Sequence, residues 1–206
     1  MYIHGYQGFG ECFPVPTVPK QQPNAPQQIQ FIEVTNVKRG SSGGRVTTSF
    51  STAGAMSDEK KQRFIKRLID PMLQHDLGRK VLLALNGGAH AVGIACGNGN
   101  FGFNGTIALD RPQAIGGRGS ASVIFIDEKA PDWHSLETIV DHPDVGLFHE
   151  LVHALHNQSG VAVADENEAE RRVIGIGPYL KCPVTENAYR NARDLPFRCC
   201  RDREQL

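Results

Sequence analysis

The strongest constraint on this chain is a short run in which two histidines stand four residues apart and a glutamate follows the first: His149-Glu150-Leu151-Val152-His153. Val145, Phe148, Leu151, Val152 and Leu155 surround them with apolar side chains at helical spacing. Asp141 is a candidate N-cap, Pro143 suits a first turn and Gly160 suits an end, so a helix is predicted over 143–156. On such a helix, positions i and i+4 face the same way, about 6 Å apart. Two imidazoles so placed can reach one Zn²⁺ at about 2.0–2.1 Å. Glu150 then projects beside the metal, where its carboxylate can accept a proton from water. Average composition would produce such a spacing by chance in on the order of one chain in a hundred of this size. The apolar fillers and the end signals make coincidence rarer still.

A catalytic zinc site takes three protein ligands and leaves one position open. His156 is the nearest further donor, but three residues beyond His153 it is displaced around the helix. The acidic segment 165–170 is the better source. Glu166 and Glu170 share one helical face, so one can ligate while the other supports. A solvated acidic helix start explains Asp165 and Glu166 without a metal, through the helix dipole, and explains Glu170 less well. Glu186, within Thr185-Glu186-Asn187, is a third candidate.

The rest of the chain reads as α+β. Residues 29–36 alternate and suit a strand, and the Ser/Gly/Thr-rich residues 39–54 read as a loop. Phe64, Ile65, Leu68, Ile69, Met72 and Leu73 mark an amphipathic helix that begins near Ser57 and carries Pro71 as a kink. Residues 81–85, 91–95, 105–109 and 121–126 are short apolar segments between glycine-rich turns and read as strands. Gly97-Asn98-Gly99 fits a loose nucleotide-binding pattern, but no helix or phosphate-binding lysine follows, so turns between strands explain it better. Further helices are predicted over 165–173, closed by Gly175 and Gly177-Pro178, and over 186–193. Residues 1–28, with Pro14, Pro16, Pro19, Pro23 and Pro26, read as a disordered leader, and residues 29–206 as one domain.

Lys plus Arg equals Asp plus Glu at 22 each, so nothing in the overall charge draws the chain to nucleic acid or to an anionic membrane. No apolar run approaches the roughly 20 residues that span a bilayer, and the N-terminal residues do not read as a secretory signal. The odd number of cysteines, five, fits neither a disulfide framework nor a CxxC zinc site and suggests thiols of a reducing cytosol.

From His149 onward the chain resembles the NleD-like family of type III secreted zinc metalloproteases of Gram-negative pathogens. The likeness rests on the His149–His156 run and on Glu170 ahead of Gly175, Ile176, Gly177 and Pro178. It continues through Thr185, Glu186, Asn187, Arg190, Leu195, Pro196 and Arg198. It covers about the last third of the chain; the ordered set after the histidines is its specific part. The resemblance implies a zincin-like fold, a small mixed or antiparallel sheet packed on helices. It implies His149 and His153 as zinc ligands, Glu150 as general base and Glu170 as third ligand. In zincins the strand before the zinc helix lines the cleft edge, here residues 120–127, and the substrate adds to it as an extended strand. Tyr179, Tyr189 and Arg190 are candidate donors to the oxyanion.

The expected activity is therefore that of a zinc metallopeptidase. The expected setting is a type III effector, held in the bacterial cytoplasm before export into a host cell. Its substrates would be host signalling proteins such as mitogen-activated protein kinases, with a secretion chaperone on the leader. A non-catalytic zinc-containing interaction protein and a housekeeping metallohydrolase are the alternatives; Glu150 argues against the first, because a structural site has no use for it.

Overall fold

The computed structural model describes residues 12, 29–42, 45–97, 101–127 and 142–199. The leader apart from Cys12, Asp141, and the Asn98-Gly99 turn lie outside these residues.

The architecture is α+β, built on one mixed sheet. The alternation at 29–36 is the first half of a longer strand, β1 (Ile29–Ser42), which returns antiparallel as β2 (Arg45–Ala55). The expected loop over 39–54 is thus mostly hairpin. Residues 51–55 of β2 are exposed, so no apolar alternation marks the strand; backbone pairing with β1 makes it. Strands β3 (Val92–Gly97), β4 (Gly105–Ala108) and β5 (Ser122–Asp127) fall where the apolar segments predict them. Among the described residues the order is β2-β1-β3-β5-β4. The inner pairs β1–β3 and β3–β5 are parallel, and the outer pairs are antiparallel.

The fourth apolar segment, 81–85, is not a strand. It lies within a helix, α3 (Asp76–Gly87), after α1 (Asp58–Phe64) and α2 (Asp70–Leu73). Five apolar residues in a row do not distinguish the two forms. The flanking residues do: Val81, Leu82, Ala84 and Leu85 are buried with Gly78, while Arg79, Lys80 and Leu83 are exposed. The kink expected at Pro71 takes the form of a π-helical segment, Ile65–Ile69, between α1 and α2. Proline in the first turn of α2 has no N–H to give, and the wider turn ahead of it accommodates that loss. Ser57 flanks α1 but makes no side-chain capping bond.

Among the described residues the helices that follow are α4 (Arg111–Ile115), α5 (Pro143–Gln158), α6 (Glu166–Ile174) and α7 (Glu186–Ala192). A 3₁₀ turn, Gly177–Tyr179, joins the last two. Asp165 caps α6 through the Glu168 N–H at 2.7 Å, and Thr185 caps α7 through the Ala188 N–H at 3.1 Å.

Strands β3 and β5 are buried on both faces, as parallel central strands are. On one face Ile94, Ile124 and Ile126 meet Leu68, Leu85, Leu147 and Leu151 from the helices. On the other, Phe125 is ringed by Phe50, Phe101 and Phe103, with centroids 5.2–5.8 Å away. Phe50 belongs to β2, so the hairpin curls over this face to reach β5. Helix α5 packs against β4, β5, α3 and α7. It is therefore an interior element, and its histidines are placed by the core.

The cysteine expectation needs correction. Cys12 and Cys182 form a disulfide with Cα atoms 5.0 Å apart, across 170 residues of sequence. Sequence spacing carries no trace of that proximity, which the fold alone creates. Among the described residues no helix is long and apolar enough to cross a membrane.

Leu151 is fully buried between the two histidines. Leu151→Ala is expected to lower the unfolding free energy by about 2–5 kcal/mol in urea titration. A loss below about 1 kcal/mol would show that α5 is not clamped by the core as described.

Candidate metal centre

His149 and His153 stand one turn apart on α5, and their Nε2 atoms converge to 3.1 Å. Glu170, from the second turn of α6, closes the group. Its Oε2 lies 3.4 Å from His149 Nε2 and its Oε1 lies 3.2 Å from His153 Nε2. These ligand atoms all lie within 4.8 Å of one another, so the three residues can hold a metal ion. The geometry supports this quantitatively. Ligands at about 2.0–2.1 Å in tetrahedral arrangement stand about 3.3 Å from one another. Two imidazole nitrogens and a carboxylate oxygen form a donor set suited to zinc and its first-row neighbours.

The other acidic candidates take different places. Glu166 lies one turn before Glu170 and faces Arg111, Oε1 to Nη1 at 3.8 Å. Glu186 is behind the site. Its Oε2 is 2.8 Å from His149 Nδ1, the nitrogen pointing away from Glu170, so Glu186 orients the histidine instead of ligating with it. Arg190 Nε donates to Glu186 Oε1 at 2.6 Å and Arg198 Nη1 donates to Oε2 at 3.0 Å. His156 is buried and lines the wall of the neighbouring cleft, outside the triangle. Burial, with Arg172 and His153 nearby, pushes its pKa well down and keeps it neutral.

Glu186 is set in place by its neighbours. Tyr189 of α7 stacks on Phe148 of α5, centroids 4.2 Å apart, which docks α7 beside His149. Asn187 exchanges two hydrogen bonds with the backbone of Arg198, each 2.8 Å, and so brings that guanidinium to Glu186. Gly175, at φ +83°, ends α6 in the left-handed region, and a Cβ there would stand 2.5 Å from Thr185 Oγ1. The Gly, Thr-Glu-Asn and Leu-Pro-x-Arg segments are thus one construction around the ring of His149. In the sequence Glu186 is one of the candidates for third ligand, behind Glu170, and Arg198 has no role there. The Glu186–Arg190 spacing of i, i+4 was a signal that Glu186 is engaged within its own helix.

The charges are coupled. Burial opposes protonation of His149, but the carboxylates of Glu170 and Glu186 outweigh it and raise its pKa to about 10 in the metal-free protein. Burial likewise opposes ionisation of Glu186; the hydrogen bond and charge of His149, with Arg198 and Arg190, hold it down at about 2. Partial burial opposes ionisation of Glu170, but His149 and His153 hold it well below the usual carboxylate range.

The triangle opens on a cleft of about 430 Å³ whose walls include Gly105, Thr106, Ile107, Arg111, Glu150, His153 and Glu170. Glu150, at the position expected for a base, lines it. The strand expected at the cleft edge was 120–127. That segment contains β5, which is paired on both sides, to β3 and to β4, and so has no open backbone edge. Among the described residues the outer strands are β2 and β4, and the cleft is lined by Thr48 of β2 and by the whole of β4. The three oxyanion candidates are engaged elsewhere: Tyr179 donates to Glu168 Oε1 at 2.5 Å, Tyr189 to Asp144 Oδ2 at 2.8 Å, and Arg190 to Glu186. Among the described residues lining the cleft, Arg111 is the one Lys or Arg.

Comparison with protein-family models, with curated proteins and with solved structures returns no match, so function is argued from the site itself.

The ligand set makes a graded expectation. Glu170→Ala should cost at least about a hundredfold in zinc affinity, Glu186→Gln about 10–100-fold, and Glu166→Ala less than about threefold, measured by competition with a chelating dye. Equal losses at Glu166 and Glu170 would contradict the assignment. The raised pKa of His149 gives a second expectation. Its charge contributes stability that is fully present below about 6.5 and is lost as pH rises through about 10. A metal taking Nε2 must displace that proton. At pH 7.5, zinc binding should therefore release about one proton, read by calorimetry in buffers of different ionisation enthalpy. No release would show that His149 is neutral before the metal arrives.

Proposed function

We propose that the protein is a zinc-dependent endopeptidase. One observation carries this reading: a His149–His153–Glu170 triangle shares a cleft with an adjacent glutamate, Glu150, and with β4, an outer strand among the described residues. A structural metal site has four protein ligands and no need of an unligated carboxylate beside an open cleft. When bound, Zn²⁺ supplies Lewis acidity that polarises a carbonyl and lowers the pKa of water towards about 7. His149 and His153 of α5 and Glu170 of α6 hold it, with Glu186 fixing the ring of His149 from behind. Glu150 accepts the proton of the attacking water and returns it to the leaving amine. The outer edge of β4 receives the substrate backbone as an added strand. Arg111 brings a positive charge to the cleft wall, where it also donates to the Ala164 carbonyl at 2.7 Å and faces Glu166.

We further propose the setting that the resemblance implies: a type III effector acting on host signalling proteins, with mitogen-activated protein kinases as first candidates. The support is the interlocked role of the resemblance residues. Gly175, Thr185, Glu186, Asn187, Arg190 and Arg198 all serve the placement of one zinc-ligand histidine.

Proteomic mapping of cut sites in a host lysate tests both parts. The zinc-loaded protein is expected to produce new termini. Glu150→Ala should produce them at least about a hundredfold more slowly while binding zinc at the same stoichiometry. Full cleavage by Glu150→Ala would refute the mechanism. Inertness of the intact zinc-loaded protein towards all host proteins would favour the non-catalytic interaction protein.

A further inference from the structure

The Glu150 carboxylate is not held by its own helix. Its partner among the described residues is Thr106, 44 positions earlier, on the outer strand β4 opposite Ile124 of β5. Thr106 Oγ1 lies 2.7 Å from Glu150 Oε2 and 2.9 Å from the Glu150 main-chain oxygen. The hydroxyl has one proton to give. The main-chain oxygen is a mid-helix carbonyl already served by the i+4 N–H, whereas the carboxylate is charged and the stronger acceptor. The proton therefore goes to Oε2.

We propose that Thr106 is a positioning residue for Glu150, an inference that rests on the peptidase reading. A glutamate reaches its target through three rotatable bonds, and a base must stand within about 2.6–3.2 Å of the proton it takes. Thr106 is β-branched and stiff about χ1, and its strand is fixed by pairing with β5. Its hydroxyl direction is thus set by the sheet. Donation to Oε2 anchors one carboxylate oxygen to β4 and leaves the other to take the proton in the cleft that Thr106, Glu150, His153 and Glu170 all line. The base is held by the same strand that borders the cleft, so sheet and zinc helix are tied together at the reacting end.

Thr106→Val keeps the shape and β-branching and removes the donor; Thr106→Ser keeps the donor. With a peptide substrate drawn from the mapped cut sites, Thr106→Val is expected to lower kcat about ten- to hundredfold with KM changed less than about twofold and zinc content unchanged. Thr106→Ser should stay within about threefold of the original kcat. Independently of turnover, the ¹³Cδ resonance of Glu150 at a fixed pH of about 7.5, assigned through its loss in Glu150→Gln, should move in Thr106→Val and return in Thr106→Ser. An unchanged kcat and an unmoved resonance in Thr106→Val would overturn the proposal. So would a Thr106→Ser as slow as Thr106→Val, because the methyl and not the hydroxyl would then matter. If the intact protein cleaves nothing, the peptidase reading fails, and the ¹³Cδ comparison alone decides whether Thr106 holds the carboxylate.

Discussion

The ring of His149 is gripped from both sides. Glu170 faces Nε2 at 3.4 Å and Glu186 faces Nδ1 at 2.8 Å. Two carboxylates around one imidazole, Glu186 buried and Glu170 partly so, would be untenable alone, since each loses hydration. They persist because cations answer them: Arg190 and Arg198 at Glu186, and the histidines at Glu170 until a metal takes that role. Much of the C-terminal third is arranged to keep these charges together. The Phe148–Tyr189 stack docks α7 on α5, Thr185 starts α7 one residue before Glu186, and Gly175 clears room for Thr185.

The two sides of α5 differ. The side facing α7 is buried and charge-paired, and it fixes the ring of His149. The side facing β4 is open and carries Glu150 beside the cleft. Central strands β3 and β5, buried on both faces, make a stiff support for α5, while β4, like β2, is an outer strand among the described residues. The cleft therefore lies where an outer strand of the described sheet, a carboxylate and a triangle that could hold a metal ion meet.

What could be read from the sequence follows from which interactions are local. Helix α5 and its two histidines were legible because 3.6-residue spacing alone puts the histidines on one face, with Glu150 projecting beside them. Glu170 could be favoured over Glu166 because the helix dipole leaves it unexplained, but only the packing of α6 on α5 brings it to Nε2. Hairpin β2 was missed because its polar residues carry no alternation, and 81–85 was misread because five apolar residues have no period of their own. The Cys12–Cys182 pair and the Thr106–Glu150 bond join residues 170 and 44 positions apart, and the outer position of β4 depends on its pairing with β5. No local pattern encodes such contacts; they appear only when the sheet is assembled.

Zinc-edge anomalous diffraction from crystals of the loaded full-length protein tests the ligand set most directly. A single strong peak is expected between the Nε2 atoms of His149 and His153 and the carboxylate of Glu170, at about 2.0–2.2 Å from each. Glu186 should remain hydrogen-bonded to Nδ1 and outside that sphere. A peak ligated by Glu186 or Glu166 in place of Glu170, or no peak at the two histidines, would contradict the site as described.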